Sequence, residues 1–315
     1  SPAAQRADAT LVVTPEMVST GLESVAKIKS WCNHDRYSKF SAYPTAYLMV
    51  AKMLRDQERQ GELRSLLESE SPIEFSKEKD GTYPSHREQW VTLALDSTKQ
   101  ILSADNLTPA RALAAKPLLE ILAGLDQARG LSTDAVQIET RGQKRTLPSH
   151  KQRFLLQYTR FLQETGDLET LAKVCRRTIE AKDFDRNPNL KWILYRYAQA
   201  LKETNPNEAL KVCNEFVALE YKSYSILLRA EIHLACGNTE LALKEAAHSL
   251  QIIGERDLPF ITKNLTFLAN LLENQEERKM HIQMVRSIRS EQNHPPSPAL
   301  EAQAAELGLP PASEA

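Results

Sequence analysis

A run of basic side chains without an intervening acid is the feature of this sequence most suited to binding chemistry. The run extends from residue 141 to residue 153 and contains Arg141, Lys144, Arg145, His150, Lys151 and Arg153. Lysine and arginine attract phosphate groups regardless of base sequence, so four of these residues are candidates for contact with phosphate or nucleic acid. The four are Arg141, Lys144, Arg145 and Lys151. No aromatic residue that would stack on bases occurs within the run, and a solvated basic loop is the interpretation that its composition favours.

Cysteine and histidine occur close together at two places, which raises the question of metal binding. Cys32 and His34 lie in one short segment, and His233 and Cys236 are three residues apart in one predicted helix. A structural zinc site uses four such ligands, and neither place has a second clustered pair that would complete the set. We therefore predict that the chain has no metal site.

Motifs for enzymatic chemistry are missing from the sequence. It contains no GxSxG, GxxxxGK[ST], GxGxxG or HExxH pattern, and its 7 histidines are scattered. The acidic residues Glu273, Glu276 and Glu277 lie at a predicted turn and helix start, where carboxylates interact favourably with the helix dipole. The sequence therefore predicts a noncatalytic protein that uses no cofactor.

Composition and charge exclude several classes of protein. Of the 315 residues, 42% are hydrophobic and 26% are charged, with 40 basic against 41 acidic side chains. This hydrophobic content is too high for a wholly disordered chain, and the 10 glycines are too few for a collagen-like chain. The near-neutral balance argues against a surface coated with positive charge for nonspecific binding of nucleic acid.

The expected location follows from the apolar runs and the cysteines. The longest apolar runs fall well short of the roughly 20 residues that span a bilayer, so we expect no contact with a membrane. The 4 cysteines are widely spaced, and three of them lie in apolar helical stretches. Since no CxxC pair occurs, the sequence favours a reducing intracellular compartment, with a cytoplasmic location.

Apolar residues recur at the spacing of one helix face through most of the chain. In the first half this pattern predicts helices at 16–30, 45–57, 85–102 and 109–127. From Phe154 onward, helices alternate with short turns that contain Gly166-Asp167, Thr204-Asn205 and Gly237-Asn238. Helices joined by such turns pack as antiparallel hairpins. The sequence therefore predicts an all-α fold built of stacked helical hairpins.

The segments that follow the three turns align with one another. They begin at Leu171, Ala209 and Ala242, at offsets of 38 residues (171 to 209) and 33 residues (209 to 242). On these residues the chain resembles the tetratricopeptide (TPR) repeats, which are helix–turn–helix units of about 34 residues. In that family a glycine followed by Asp or Asn closes the first helix, and a small residue opens the second. The resemblance implies a right-handed solenoid.

The array is divergent from the family pattern. The late small residue is Thr178, Phe216 or Ser249 in the three units, and the closing proline is absent or displaced to Pro188 and Pro259. In the first half, Gly61–Leu67 resembles Gly166–Ala172 at an offset of 105 residues, three times 35. Coincidence among leucine-rich helices explains this last match equally well.

These patterns divide the chain into five regions. We predict a flexible N-terminus (1–15), an irregular helical subdomain (16–128), a basic loop or connection (129–151), TPR-like repeats (152–293) and a disordered Pro/Ala-rich tail (294–315). Such solenoids line their concave wall with the first helix of each unit. The resemblance implies seven inward-facing, partner-binding residues: Arg153, Arg160, Gln163, Lys191, Lys202, Tyr224 and Glu231.

The function that these features favour is protein–protein interaction. A mildly basic groove with one aromatic residue suits an extended peptide or a helix, and we expect that partner to be acidic. One alternative is a helical protein that binds nucleic acid through the basic loop and the groove, and another is a regulatory subunit of an enzyme complex. A homodimer through a terminal helix at Met280–Ile288 is a further hypothesis, because the end units of a solenoid need capping.

Overall fold

The computed structural model describes residues 14–32, 42–69, 84–104, 107–140, 143–185, 187–252, 258–291, 295–296 and 298–311. The chain divides into two compact units, Ser1–Gly166 and Asp167–Ala315, called here the N-terminal and C-terminal units. Both units are predominantly helical, and their helices pack against neighbouring helices. The helical class predicted from the periodicity is therefore confirmed.

The N-terminal unit is built around one long helix. Its helices are α1 (Pro15–Cys32), α2 (Ala42–Asp56), α3 (Gln60–Glu68), α4 (Pro84–Leu102), α5 (Pro109–Ala112), α6 (Lys116–Gln127) and α7 (His150–Thr165), with a 3-10 helix at Leu113–Ala115. Helix α4 contacts α2, α3, α5, α6 and α7, because it is apolar on several sides. Its residues Trp90 and Leu95 are completely buried together with Tyr47 and Leu54 of α2. The sequence placed α7 with the repeats, but α7 packs on α4 and belongs to this unit.

The predicted loop at 129–151 contains a β-hairpin. Strand β1 (Val136–Thr140) pairs antiparallel with β2 (Gln143–Leu147), with Val136 opposite Leu147. The sequence analysis assigned these residues to a loop or connection, so it missed the hairpin. Val136, Ile138 and Thr140 alternate with the polar residues Gln137 and Glu139, which is the period-two pattern of a strand.

The C-terminal unit is a succession of helices, each of which contacts the next. They are α8 (Leu168–Glu180), α9 (Leu190–Leu201), α10 (Pro206–Leu219), α11 (Ser223–Ala235), α12 (Thr239–Ile252), α13 (Leu258–Leu271), α14 (Gln275–Glu291) and α15 (Pro298–Glu306). Helix α11 also contacts α13, so first helices of successive hairpins meet. Small residues permit this close packing, since Ala209, Ala230 and Ala242 are completely buried.

Turn chemistry sets the ends of these helices. Asn205 accepts a hydrogen bond at its side-chain oxygen from the amide of Glu208 (3.3 Å) and so caps α10. Gly166 and Gly237 follow helices with φ of 76° and 79°, a left-handed conformation that favours glycine. Gly61 lies inside α3 instead, and the left-handed residue of the preceding turn is Glu58 (φ 58°). The proposed equivalence of Gly61 with the turn glycines is therefore wrong.

The predicted disordered tail contains the helix α15. Leu300 and Ala304 of this helix are buried in one cluster with Ile282 and Val285 of α14. Arg286 of α14 also forms an ion pair with Glu301, at 2.5 Å between Nη2 and Oε2. The prediction of disorder is wrong for residues 298–311, because alanine and leucine between the prolines form an apolar helix face. Helix α14 is consequently not the terminal helix that the dimer hypothesis assumed, while dimerisation itself stays a prediction.

Candidate functional site

An open groove crosses three helices of the C-terminal unit. Its volume is about 560 Å³, and it is lined by the first helices of successive hairpins, α9, α11 and α13. The lining residues are Gln199, Lys202, Glu203, Glu231, Leu234, Ala235, Lys263 and Phe267. We call this feature the α9–α11–α13 groove. Two of the residues predicted to face inward, Lys202 and Glu231, are among those that line it.

The polar part of the groove is centred on the carboxylate of Glu231. This side chain is only 12% exposed and accepts from two ammonium groups, Lys202 Nζ at 3.1 Å and Lys263 Nζ at 2.7 Å. Lys202 also lies 3.6 Å from the carboxylate of Glu203, which is 73% exposed. Two lysines thus share one largely buried carboxylate, and Lys263 remains 50% exposed.

The apolar part of the groove adjoins this ion-pair cluster. Leu234 and Phe267 are partly buried, whereas Ala235 is exposed. Phe267 packs against the buried cluster of α11, α12 and α13 that contains Leu227 and Leu268. The apolar side of the groove is therefore anchored through Phe267 in the core of the unit.

A cluster of aromatic rings joins α9, α10 and α11 of the same unit. Trp192 and Tyr224 stack with ring centroids 6.2 Å apart and planes 7° from parallel, and Tyr195 meets the edge of both. Phe216 lies 5.5 Å from Tyr195 and 6.0 Å from Tyr224 between centroids. Such pairs contribute about 0.5–1.5 kcal/mol each beyond the burial of their surface. This cluster holds the first helices of two hairpins together.

Charged groups complete the contact at the edge of the aromatic cluster. Glu220 accepts from Lys191 Nζ (2.9 Å) and from the Tyr224 hydroxyl (3.0 Å), and these hydrogen bonds lower the pKa of its carboxyl. Burial, followed by the bond to Glu220, raises the pKa of Tyr224. Lys191 also lies 5.4 Å from the centre of the Trp192 ring, within the range of a cation–π interaction. Lys191 and Tyr224 are thus engaged inside the unit.

The remaining predicted contact residues belong to the N-terminal unit. Arg153 forms an ion pair with Asp96 (2.6 Å), and Arg160 lies 3.9 Å from Glu164 in the same helix. Gln163 is also on α7. The structure therefore brings together Lys202 with Glu231, and Lys191 with Tyr224 through Glu220, in the unit that lacks the other three residues.

Sequence reasoning missed three residues that are central to the groove and its support. These are Glu220, Lys263 and Phe267, of which Glu220 precedes α11 and the other two lie on α13. Lys263 follows Glu231 by 32 residues (231 to 263), close to the repeat length. Extension of the repeat alignment to the fourth hairpin would therefore have identified it, whereas nothing local marks Glu220.

The basic run of the sequence lies at the β-hairpin and the start of α7. Lys144 and Arg145 are in strand β2, opposite Glu139 and Ile138. Arg141 lies outside the described residues. The backbone amide of Lys151 donates to the carbonyl of Ser132 at 3.1 Å and closes the base of the segment that contains the hairpin.

Metal and nucleophile chemistry finds little support at the described positions. Within the described ranges no three or more His, Cys, Asp or Glu side chains are placed to hold a metal ion. Residues 33–41, which include His34, lie outside those ranges. Burial raises the pKa of the Cys175 and Cys213 thiols to about 12, so both are protonated at neutral pH. Burial also lowers the pKa of His233, whose Nδ1 has no hydrogen-bond partner among the residues described.

Comparison with known proteins identifies no relative. No protein-family model matches this chain, and no curated protein matches it either. In the part of the chain that the structure describes, every helix is too short or too polar to cross a bilayer. The α9–α11–α13 groove is consequently the feature that points to a function.

Proposed function

We propose that the C-terminal unit is a divergent TPR-like solenoid that binds a protein partner in the α9–α11–α13 groove, without catalysis. The observation that carries this proposal is the composition of that groove: an ion-pair cluster on Glu231 beside the apolar residues Leu234 and Phe267. First helices of three successive hairpins contribute to it, which is the arrangement of a solenoid binding surface.

The dimensions of the groove suit a short peptide segment. Packed helices lie about 8–10 Å apart, so three first helices extend over about 20 Å, the length of about six residues of extended chain. We therefore propose an extended segment as the ligand, with a helix as the alternative conformation.

The charges of the groove favour an acidic side chain in that segment. Lys263 is half exposed and shares the Glu231 carboxylate with Lys202, so its ammonium has donors left for a second acceptor. A carboxylate of the partner would occupy this position with a charge-assisted hydrogen bond. An apolar side chain next to it in the partner would contact Phe267 and Leu234. The proposed motif is thus an acidic residue adjacent to an apolar one.

A peptide-display selection tests this proposal directly. Random peptides are selected on the wild-type chain and on Lys263→Glu, with Lys211→Glu as the matched control. Lys211 is 77% exposed on α10 and faces no part of the groove. We expect acidic–apolar motifs from the wild type and from the control, and an affinity at least tenfold lower for Lys263→Glu. Equal enrichment and affinity on all three proteins would contradict the proposal.

A further inference from the structure

A pocket in the N-terminal unit combines two arginines whose guanidinium groups pair with no carboxylate among the described residues. It has a volume of about 210 Å³ and lies between the start of α4, the segment after α6 and the first residue of α7. Its walls include Arg87, Val91, Arg129, Leu131, Ser132 and His150. We call it the Arg87–Arg129 pocket.

The two guanidinium groups are available for a ligand. The amide of Arg129 donates to the Asp126 carbonyl (3.0 Å), but neither guanidinium makes a hydrogen bond or an ion pair with any residue that the structure describes. Arg153, on the neighbouring α7, is instead paired with Asp96 at 2.6 Å. Each guanidinium offers five N–H donors in a planar fork that matches an oxyanion. Two guanidinium groups that line one pocket without a carboxylate partner among the described residues can both donate to an anion bound there.

The backbone at Gly130 brings Arg87 into position. A Cβ atom at Gly130 would lie 3.3 Å from Arg87 Nη1 and 3.3 Å from the carbonyl oxygen of Leu125. The absence of a side chain therefore lets the guanidinium lie against the loop that follows α6. The amide of Gly130 donates to the Leu125 carbonyl (2.7 Å), which holds this loop to the end of the helix.

A serine adds a further donor to the same pocket. The Ser132 hydroxyl oxygen accepts from the amide of Asp134 (3.2 Å), which leaves its proton available for an anion. The first amides of α7 are occupied, since Lys151 donates to the Ser132 carbonyl and Gln152 to the Ser149 hydroxyl. The pocket therefore depends on side-chain donors and not on the helix terminus.

The Arg129 backbone adds an independent observation. Its φ of 54° is left-handed, at a helix end where glycine is the favoured residue. The chain thus carries a long cationic side chain at a position whose backbone geometry disfavours it. Strain of this kind is concentrated at binding sites.

We propose that the Arg87–Arg129 pocket binds the phosphoryl group of free phosphate or of a small phosphate monoester. The tetrahedral dianion presents acceptors in several directions, which suits two guanidinium forks and one hydroxyl better than a planar carboxylate does. The volume of the pocket admits a phosphoryl group with a small substituent. Glu88 is the acid that lines the pocket; it is exposed, so it is free to turn away from the bound anion.

Titration calorimetry with inorganic phosphate and with phenyl phosphate tests the proposal on the full chain. Two controls are run at equal ionic strength. Acetate measures the binding of a carboxylate, and sodium chloride measures nonspecific ionic effects. We expect phosphate to bind saturably, with a dissociation constant below about 10 mM. If phenyl phosphate binds as tightly as inorganic phosphate, the pocket is a monoester site. If only inorganic phosphate binds, it is a free-phosphate site.

The decisive variant is Arg129→Gly, because it removes the guanidinium and also relieves the left-handed backbone. We expect phosphate affinity to fall at least tenfold while the unfolding midpoint without phosphate is unchanged or higher. Lys182→Gly is the matched control, since Lys182 is also left-handed (φ 56°) and also loses one positive charge, but lies in the other unit. Arg87→Gln should weaken phosphate binding to a similar degree.

Three results would overturn the proposal. These are no saturable phosphate binding by the wild type, wild-type affinity in Arg129→Gly, and acetate binding as tight as phosphate with the same dependence on Arg129. Lys263→Glu, which alters the groove of the other unit, should leave phosphate affinity unchanged, so the two proposals fail separately.

Discussion

The carboxylate of Glu231 shows how a single residue organises a surface. It is 12% exposed and accepts from two lysines that come from different helices, Lys202 at the end of α9 and Lys263 on α13. A charge in this position is desolvated and is stable only while it is paired. The residue therefore contributes both to the packing of the hairpins and to the orientation of the lysines in the groove.

Replacement of Glu231 by glutamine tests this double role. The variant keeps one amide oxygen but removes the negative charge that Lys202 and Lys263 share, and we expect the free energy of unfolding to fall by about 1–3 kcal/mol in urea denaturation. Glu169→Gln is the matched control, because its pair with Lys173 is 81% and 72% exposed. Exposed pairs contribute about 0–1 kcal/mol. Equal losses in the two variants would show that Glu231 has no special structural role.

At the scale of elements, short-range chemistry explains where helices end. Gly237 has φ of 79°, and open space surrounds the position of its missing Cβ, so backbone conformation alone requires glycine there. Gly61 has equally open surroundings but lies inside α3. We therefore expect opposite effects on stability when alanine replaces these two glycines.

Alanine substitution distinguishes these two glycines. We expect Gly237→Ala to lower the free energy of unfolding by about 1 kcal/mol, since alanine disfavours the left-handed conformation. Gly61→Ala should raise it by about 0.5–1 kcal/mol, because alanine is the better helix former. Thermal and urea unfolding of both variants measure these changes. A stabilised Gly237→Ala, or a strongly destabilised Gly61→Ala, would contradict the helix boundaries.

At the scale of the whole molecule, the question is whether nucleic acid is a partner. The formal charge of −1 and the pairing of Arg153, Lys191 and Lys202 with carboxylates leave little unpaired positive charge along the predicted groove. The basic residues Lys144 and Arg145 are in the hairpin of the N-terminal unit. A protein that binds through phosphate contacts would show a steep dependence on salt.

We expect the chain to bind RNA and duplex DNA weakly, and the variant Arg141→Glu/Lys144→Glu/Arg145→Glu to bind them equally weakly. Fluorescence anisotropy at several salt concentrations measures both affinities. Tight binding that weakens about tenfold or more in the triple variant, with a steep salt slope, would favour the nucleic-acid alternative. The wild type at high salt serves as the reference for nonspecific binding.

The sequence by itself determined the features that depend on neighbouring residues. Helical periodicity located α2, α4 and helices α8 to α14, and the turn residues Asn205 and Gly237 marked helix ends, because these effects act within one helical turn. The β-hairpin also has a local signature, the alternation of apolar and polar residues in β1, although the prediction missed it. The apolar face of α15 is likewise a local pattern of alanine and leucine, although the neighbouring prolines led to a prediction of disorder.

Only the tertiary structure decided which side chains meet. Lys202, Glu231 and Lys263 come together across 61 residues (202 to 263), and Arg87 reaches Gly130 across 43 residues (87 to 130). The residues next to a charged side chain in the sequence do not indicate a partner so far away. The ion pair of Lys191 with Glu220 is therefore seen only in the tertiary structure. The physical reason is that ion pairing and burial depend on the packing of distant helices, which periodicity along one chain segment does not specify.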